Sequence, residues 1–157
     1  MSVTVAIVAG GGGPLGHATA VALAAGGLTV VAVDRTEQAL SDLPGEIRRM
    51  RQQGSGAIVH VAARPGIEPA SGMGAYSVSK AALVHLTRIL DIELRPQGIR
   101  VNAVAPQLLD TPRDRAMFPA EVMAHAVAPE AIAGVIAFLV SDAAAAVSEA
   151  ILPACGA

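Results

Sequence analysis

The chain has 157 residues, a length that suits one domain with a buried core. Hydrophobic residues make up 53% of it but aromatic residues only 2%, so the core must be built mainly from Ala, Val, Leu and Ile. A net charge of -2 without a basic cluster argues against nucleic acid, and no apolar run is long enough to span a membrane. The single Cys155 excludes an intrachain disulfide, and a strand-like opening without a secretory signal favours a cytoplasmic location.

Apolar runs alternate with glycine- and proline-rich breaks, which predicts strands that alternate with helices. In chain order, the predicted elements are strand 3–9, helix 15–25, strand 28–33, helices 36–43 and 46–53, strand 57–62, helix 75–95, strand 100–105, a loop over 106–119, a helical turn 120–126, helix 129–140 and strand 150–152. This order is typical of parallel βαβ units. The sequence therefore predicts an α/β fold, a Rossmann-like doubly wound parallel sheet with helices on both faces, in a single domain over 1–157.

A glycine-rich turn joins the first predicted strand to the first predicted helix. Its candidate ligand-binding residues are Gly10, Gly12, Gly13, Leu15 and Gly16. Backbone N–H groups in such a turn can approach a diphosphate, which the positive end of the helix dipole also favours. Asp34, at the end of the second strand, can accept hydrogen bonds from two ribose hydroxyls and would repel a 2′-phosphate. The pattern predicts NAD in preference to NADP, although the adjacent Arg35 weakens that preference.

Tyr76 and Lys80 lie four residues apart at the start of the longest predicted helix, so they share one helical face. A phenol with a pKa of about 10 exchanges protons poorly at neutral pH, and a nearby ammonium group lowers that pKa. The pair therefore indicates acid and base catalysis. Such a pair is often only part of a solvated face, but Tyr76 is the only tyrosine of the chain.

Residues 72–80, Gly-Met-Gly-Ala-Tyr-Ser-Val-Ser-Lys, resemble the Tyr-x-x-x-Lys segment of the short-chain dehydrogenase/reductase family, and 99–106 resemble the strand leading to its Pro-Gly motif. The resemblance implies that Tyr76 donates or accepts a proton, and that Lys80 binds the nicotinamide ribose and lowers the pKa of Tyr76. It also places Thr111 at the nicotinamide carboxamide. The implied function is NAD(P)-dependent hydride transfer between nicotinamide and a small alcohol or ketone.

Several positions depart from the family pattern. Ala63 stands where the family has the serine that polarises the substrate carbonyl, a loss expected to cost about 2 to 4 kcal/mol in the barrier. Pro14 replaces the middle glycine of the glycine motif and removes one N–H group. Gln107 follows Pro106 in place of a glycine, and Glu149 occupies another position where the family has glycine.

The largest departure is an internal deletion between Asp34 and Ala57. The family has further strands there, one of them ending in Asn-Asn-Ala-Gly, and a long helix that carries a proton-relay asparagine. If the third strand of this chain lies beside the first, five strands form the parallel order 2-1-3-4-5. The chain therefore resembles a family member shortened by this deletion.

The residues leave three interpretations open. Tyr76 and Lys80 favour an active oxidoreductase. Ala63 and the missing asparagine favour a catalytically impaired module that binds a dinucleotide or another protein. Pro14 favours a folded remnant without a ligand, as does the deletion, which would remove part of the family's adenine pocket.

The longest predicted helix also carries two apolar surfaces. The stronger stripe, expected to face the sheet, consists of Leu83, Leu86, Leu90 and Leu94. The weaker patch, which resembles the dimer face of the family, consists of Ala81, Ala82, Ile89 and Ile92. These surfaces predict a homo-oligomer. The four histidines lack the spacing of metal ligands, so no metal site is predicted.

Overall fold

The alternating apolar runs form strands and helices in the computed structural model, which describes residues 5–9, 14–27, 29–33 and 47–155. The elements are β1 (Val5–Ala9), α1 (Pro14–Ala25), β2 (Thr29–Val33), α2 (47–53), β3 (Gly56–Val61), α3 (Gly74–Leu94), β4 (Ile99–Pro106), α4 (Pro112–Met117), α5 (Ala120–Met123), α6 (Pro129–Val140) and β5 (Ile151–Ala154). The helix expected at 36–43 lies outside the described residues. No helix in the described ranges is long and apolar enough to cross a membrane.

The strands pair in parallel throughout. β1 pairs with β2, and β3, β4 and β5 form a second hydrogen-bonded group with β4 in the centre. β1 and β3 contact each other, but no ladder joins them within the described residues. These neighbours agree with the order 2-1-3-4-5, with the hydrogen bonding interrupted between β1 and β3. The Rossmann-like fold class is confirmed.

Helices cover both faces of the sheet. Successive side chains of β4 point to opposite faces, so the strand packs against helices on each side. Val104 packs on one face against residues of α1 and α6, including Leu15 and Ile136. Val101 packs on the other face against Leu94 of α3. β4, which is buried at every position except Arg100, thus forms the centre of the core and fixes α3 against the sheet.

The buried stripe of α3 differs from the leucine stripe expected from the sequence. Its buried positions are Val84, Thr87, Asp91 and Leu94. Leu86 is 43% exposed, so the expectation that it faces the sheet is wrong. The helix is rotated because two polar side chains find partners on the sheet side: Thr87 Oγ1 bonds His60 Nδ1 at 2.8 Å, and Asp91 Oδ1 accepts from the backbone N–H of Val101 at 3.3 Å.

The segment expected to be a loop at 106–119 contains the short helix α4. Thr111 caps this helix, because its Oγ1 accepts a hydrogen bond from the backbone N–H of Asp114 at 3.2 Å. Pro112 then occupies the first helical turn, where its missing N–H costs nothing. The helix places the side chains that follow β4 over the carboxyl ends of β3 and β4.

Candidate active site

A cavity of about 610 Å³ opens at the carboxyl ends of β3 and β4, the edge of a parallel sheet where ligands bind in open α/β folds. The end of β3, the first turn of α3 and the segment after β4 contribute its walls. The described residues that line it are Val61, Ala62, Ala63, Pro65, Gly72, Met73, Gly74, Ala75, Tyr76, Lys80, Pro106, Gln107, Leu108, Leu109, Arg113, Asp114, Met117 and Phe118.

Tyr76 and Lys80 both face this cavity from the start of α3. The Lys80 Nζ lies 5.8 Å from the centroid of the Tyr76 ring, as their spacing of one helical turn leads us to expect. The same Nζ donates a hydrogen bond to the carbonyl oxygen of Val61 at 3.0 Å. This bond fixes Lys80 against the end of β3. Because an ammonium group has three donors, two of them are left for a ligand.

The pKa of Tyr76 is shifted in the direction opposite to the one that the family resemblance implies. Burial raises the pKa of the phenol, and the negative charge of Asp114 raises it further. Burial also lowers the pKa of Lys80, so its positive charge is less stable here than in water. The sequence could not show this, because Asp114 reaches the phenol only through the fold of α4.

Part of the cavity wall is formed by Ala62 and Ala63, which are 3% and 5% exposed. The backbone N–H of Ala62 donates to the carbonyl oxygen of Val104 at 2.8 Å, which extends the β3–β4 ladder by one residue. Ala63 then begins the short 3-10 turn Arg64–Gly66. This wall therefore presents methyl groups where the family resemblance would place a hydroxyl.

Gly66 is a positioning residue that the sequence analysis missed. A Cβ at this position would lie 2.7 Å from the backbone carbonyl carbon of Lys80, so the turn packs directly against α3 at its lysine. The side chain of Arg64 ties the same turn to the chain's end, because its Nη1 donates to Cys155 Sγ at 2.8 Å. The adjacent Pro65 and Gly66 were a turn signal, but only the fold shows what the turn touches.

The expected cofactor residues are only partly described. Gly10, Gly12, Gly13 and Asp34 lie outside the described residues. Leu15 and Gly16 are buried in the first turn of α1, after Pro14. Since the Leu15 side chain packs in the core, only its backbone is left for a ligand.

Thr111 has a local structural role that the resemblance did not imply. Besides capping α4, its Oγ1 donates to Asp114 Oδ2 at 2.6 Å, and among the described residues Thr111 does not line the cavity. The Thr111 hydroxyl thus uses both its proton and its oxygen within α4. No group of three or more potential metal ligands occurs within the described ranges.

The fold and the site together define a Rossmann-like α/β protein with a Tyr and Lys pair at the carboxyl edge of its sheet. Residues 44–156, more than half of the chain, match the family model described as enoyl-(acyl carrier protein) reductase. The chain belongs to the short-chain dehydrogenase/reductase family.

Relatives of known name share this family. The cis-4-hydroxycyclohexanecarboxylate dehydrogenase of Sinomonas cyclohexanicum is 41% identical over 132 residues, which cover 78% of this chain and 52% of that protein. The dehydrogenase/reductase SDR family member 4 of Oryctolagus cuniculus is 37% identical over 106 residues, which cover 61% of this chain and 41% of that protein. The chain therefore spans about half the length of these relatives.

A solved structure of NAD+-bound xylitol dehydrogenase shares the fold with a TM-score of 0.82. The superposition covers 98% of each chain at 21% sequence identity. At this identity the likeness concerns the fold alone.

Proposed function

We propose that this chain is an NAD(P)-dependent oxidoreductase that transfers hydride between nicotinamide and a small alcohol or ketone. The observation that carries the proposal is the cavity in which the Tyr76 phenol and the Lys80 ammonium lie 5.8 Å apart, centroid to Nζ. Both relatives described above are named as dehydrogenases, which supports the same class of reaction. Asp34 favours NAD over NADP.

The cavity residues fit the nicotinamide end of such a cofactor. Lys80 keeps two N–H donors for ribose hydroxyls while Val61 holds it in place. Gly10, Gly12, Gly13 and Gly16, with the backbone of Leu15, are proposed to hold the diphosphate, and Asp34 the adenosine ribose. We propose no contact through the Thr111 hydroxyl, because Asp114 already engages it. When bound, the nicotinamide supplies or accepts the hydride at C4.

The proton is proposed to move through Tyr76. In the reducing direction the phenol donates its proton to the carbonyl oxygen as that oxygen becomes a hydroxyl, and in the oxidising direction the phenolate takes the proton back. Since burial and Asp114 raise the pKa of Tyr76, the phenol is protonated at neutral pH. Tyr76 therefore carries the proton that ketone reduction requires.

A second function, a catalytically impaired module that binds a dinucleotide or a protein, is supported by the apolar wall at Ala62 and Ala63. With methyl groups at this wall, neither side chain can donate a hydrogen bond to the substrate oxygen. In that case the protein binds NADH but shows no turnover with any small ketone. The missing asparagine of the shortened segment points in the same direction.

The test is the substitution Tyr76→Phe, which removes the proton but keeps the ring. We expect it to abolish ketone reduction while the affinity for NADH stays nearly unchanged, measured by steady-state rates and by nicotinamide fluorescence. Arg88→Gln, on an exposed position of the same helix, is the control for unspecific effects. Turnover that survives in Tyr76→Phe would remove Tyr76 from the reaction.

We also propose that the protein is a cytoplasmic homo-oligomer built from one NAD(P)-binding domain over 1–157. Val78 and Ile92 of α3 are 71% and 69% exposed, and burying such side chains against a second copy would be favourable. Light scattering after size exclusion measures the mass directly. Val78→Lys combined with Ile92→Lys is expected to shift an oligomer to a monomer.

A further inference from the structure

We propose that the substrate is anionic, an alcohol or ketone with a carboxylate that Arg113 binds at the rim of the cavity. This inference rests on the proposed function for the reacting group, but the anion site itself stands on the cavity alone. It names the chemical class of the substrate, which the Tyr76 and Lys80 pair does not determine.

The charged side chains that line the cavity differ in what they already bind. Lys80 donates to the carbonyl oxygen of Val61, and Asp114 accepts from the Thr111 hydroxyl. Arg113 lines the same cavity and has no hydrogen bond or ion pair with any residue that the structure describes. Of the two cations, Arg113 therefore has all its donors available for a ligand.

The neighbouring arginine of α4 provides the internal contrast. Arg115 Nη2 donates to Asp110 Oδ2 at 2.6 Å, and its Nε donates to the other oxygen of the same carboxylate. That two-pronged pair is the geometry by which a guanidinium binds any carboxylate. Arg113, two residues earlier on the same helix, faces the cavity without such a partner.

The remaining walls fit the body of an apolar molecule. Met73, Leu108, Met117 and Phe118 line the cavity, and its volume of about 610 Å³ lies within the range of small-molecule sites. Apolar walls give ligand carbons a contact surface and strengthen an ion pair at the rim by lowering the local dielectric constant. The matching ligand has a compact hydrocarbon body and one negative group.

The experiment is a calorimetric titration with cyclohexanecarboxylate and with its uncharged amide, with and without NADH. We expect the wild type to bind the carboxylate about tenfold more tightly than the amide. In Arg113→Gln this preference should disappear, while the matched control Arg115→Gln should keep it. Added salt should weaken binding of the carboxylate but not of the amide.

Equal affinity for the two compounds, or a carboxylate preference that survives Arg113→Gln, would overturn the anion site. So would a wild type that binds neither compound. The proposed function is checked separately, by turnover of ketones and by Tyr76→Phe. A carboxylate preference that depends on Arg113, without turnover of any ketone, refutes the oxidoreductase and keeps the anion site. Turnover of ketones without that carboxylate preference refutes the anion site and keeps the oxidoreductase.

Discussion

The two ends of α3 carry polar side chains under opposite conditions. Near its carboxyl end, Thr87 and Asp91 are fully buried and every polar atom that faces the sheet has a partner. At its amino end, Tyr76 is 49% exposed and Lys80 has one hydrogen bond for three donors. The same helix thus uses polar groups for stability at one end and leaves them available to a ligand at the other.

The buried end is joined to the rest of the fold through Asp91. Its carboxylate accepts hydrogen bonds from Arg95, from the Ser148 hydroxyl and from the backbone N–H of Val101. These partners belong to the turn that follows α3, to the segment before β5 and to β4. The network therefore fixes the position of α3 on the sheet, and with it the placement of Tyr76.

The largest effect is expected from Asp91→Ala, which leaves the Ser148 hydroxyl without its acceptor and the Val101 N–H with the Ser148 oxygen alone. Breaking such a buried charged network costs about 3 kcal/mol. Urea denaturation measures the free energy of unfolding. Glu93→Ala, an exposed carboxylate of the same helix, is the control and should change stability little. Similar effects of the two substitutions would show that the buried network around Asp91 does not stabilise the carboxyl end of α3.

The next effect concerns the apolar wall that faces the available end of α3. Ala63→Ser would place a hydroxyl in the cavity beside Tyr76. A donor to the developing oxyanion is expected to lower the barrier by about 2 kcal/mol, or to raise kcat/KM about 30-fold. Stopped-flow or steady-state rates of ketone reduction check this. An unchanged rate, with NADH binding retained, would favour the impaired binding module.

A smaller effect is expected at Glu149, which adjoins Ser148 and has a φ of 64°, a left-handed conformation that favours glycine. Glu149→Gly and Glu149→Ala both remove the exposed ion pair with Arg95. The alanine variant keeps the backbone strain, whereas the glycine variant removes it at some cost in unfolded-chain entropy. The glycine variant should therefore be more stable than the alanine variant by about 1 kcal/mol. Thermal denaturation of the two variants measures the difference, and equal stability would contradict the strain.

The smallest effect is a dependence of stability on pH through His60. Thr87 Oγ1 donates its proton to the carbonyl oxygen of Leu83, so His60 Nδ1–H is the donor in the His60–Thr87 bond. Burial lowers the pKa of His60. Since the unfolded chain binds a proton at about pH 6.5 and the folded chain only at lower pH, stability is full above pH 6.5 and decreases as the pH falls towards the native pKa.

Urea midpoints at several pH values check this contribution. His60→Asn keeps an N–H donor for Thr87 but removes the titrating group, so its stability should decrease less on acidification than that of the wild type. Parallel curves for the two proteins would contradict a titrating His60 at this end of α3.

The sequence predicted the order and type of most described elements because strands and helices follow local apolar patterns and turn residues. The position of Tyr76 and Lys80 on one helical face followed from their spacing alone. The rotation of α3 was not predictable, because Thr87 and Asp91 are polar and only their partners on β3 and β4 explain their burial. Leu86 was expected in the core because it belongs to the leucine stripe, and the rotation of α3 leaves it exposed instead.

Three features of the site were not predicted from the sequence. The helix α4 was missed although Thr111 and Pro112 form a readable start signal, because a helix of six residues has little periodicity. The pKa of Tyr76 is raised first by burial and then by the charge of Asp114, which α4 carries, and both depend on the tertiary fold. The sequence does not distinguish Arg113 from Arg115, because only the fold pairs Arg115 with Asp110 and places Arg113 at the cavity.

The most direct test of the account is a titration of the purified protein with NADH and with NADPH, followed by nicotinamide fluorescence or heat, in the wild type and in Lys80→Met. The available donors of Lys80 predict saturable NADH binding that is weakened in Lys80→Met, and Asp34 predicts weaker binding of NADPH. Failure of both cofactors to bind, or NADH binding that is the same in Lys80→Met, would contradict the assignment of this end of α3 to a nicotinamide cofactor.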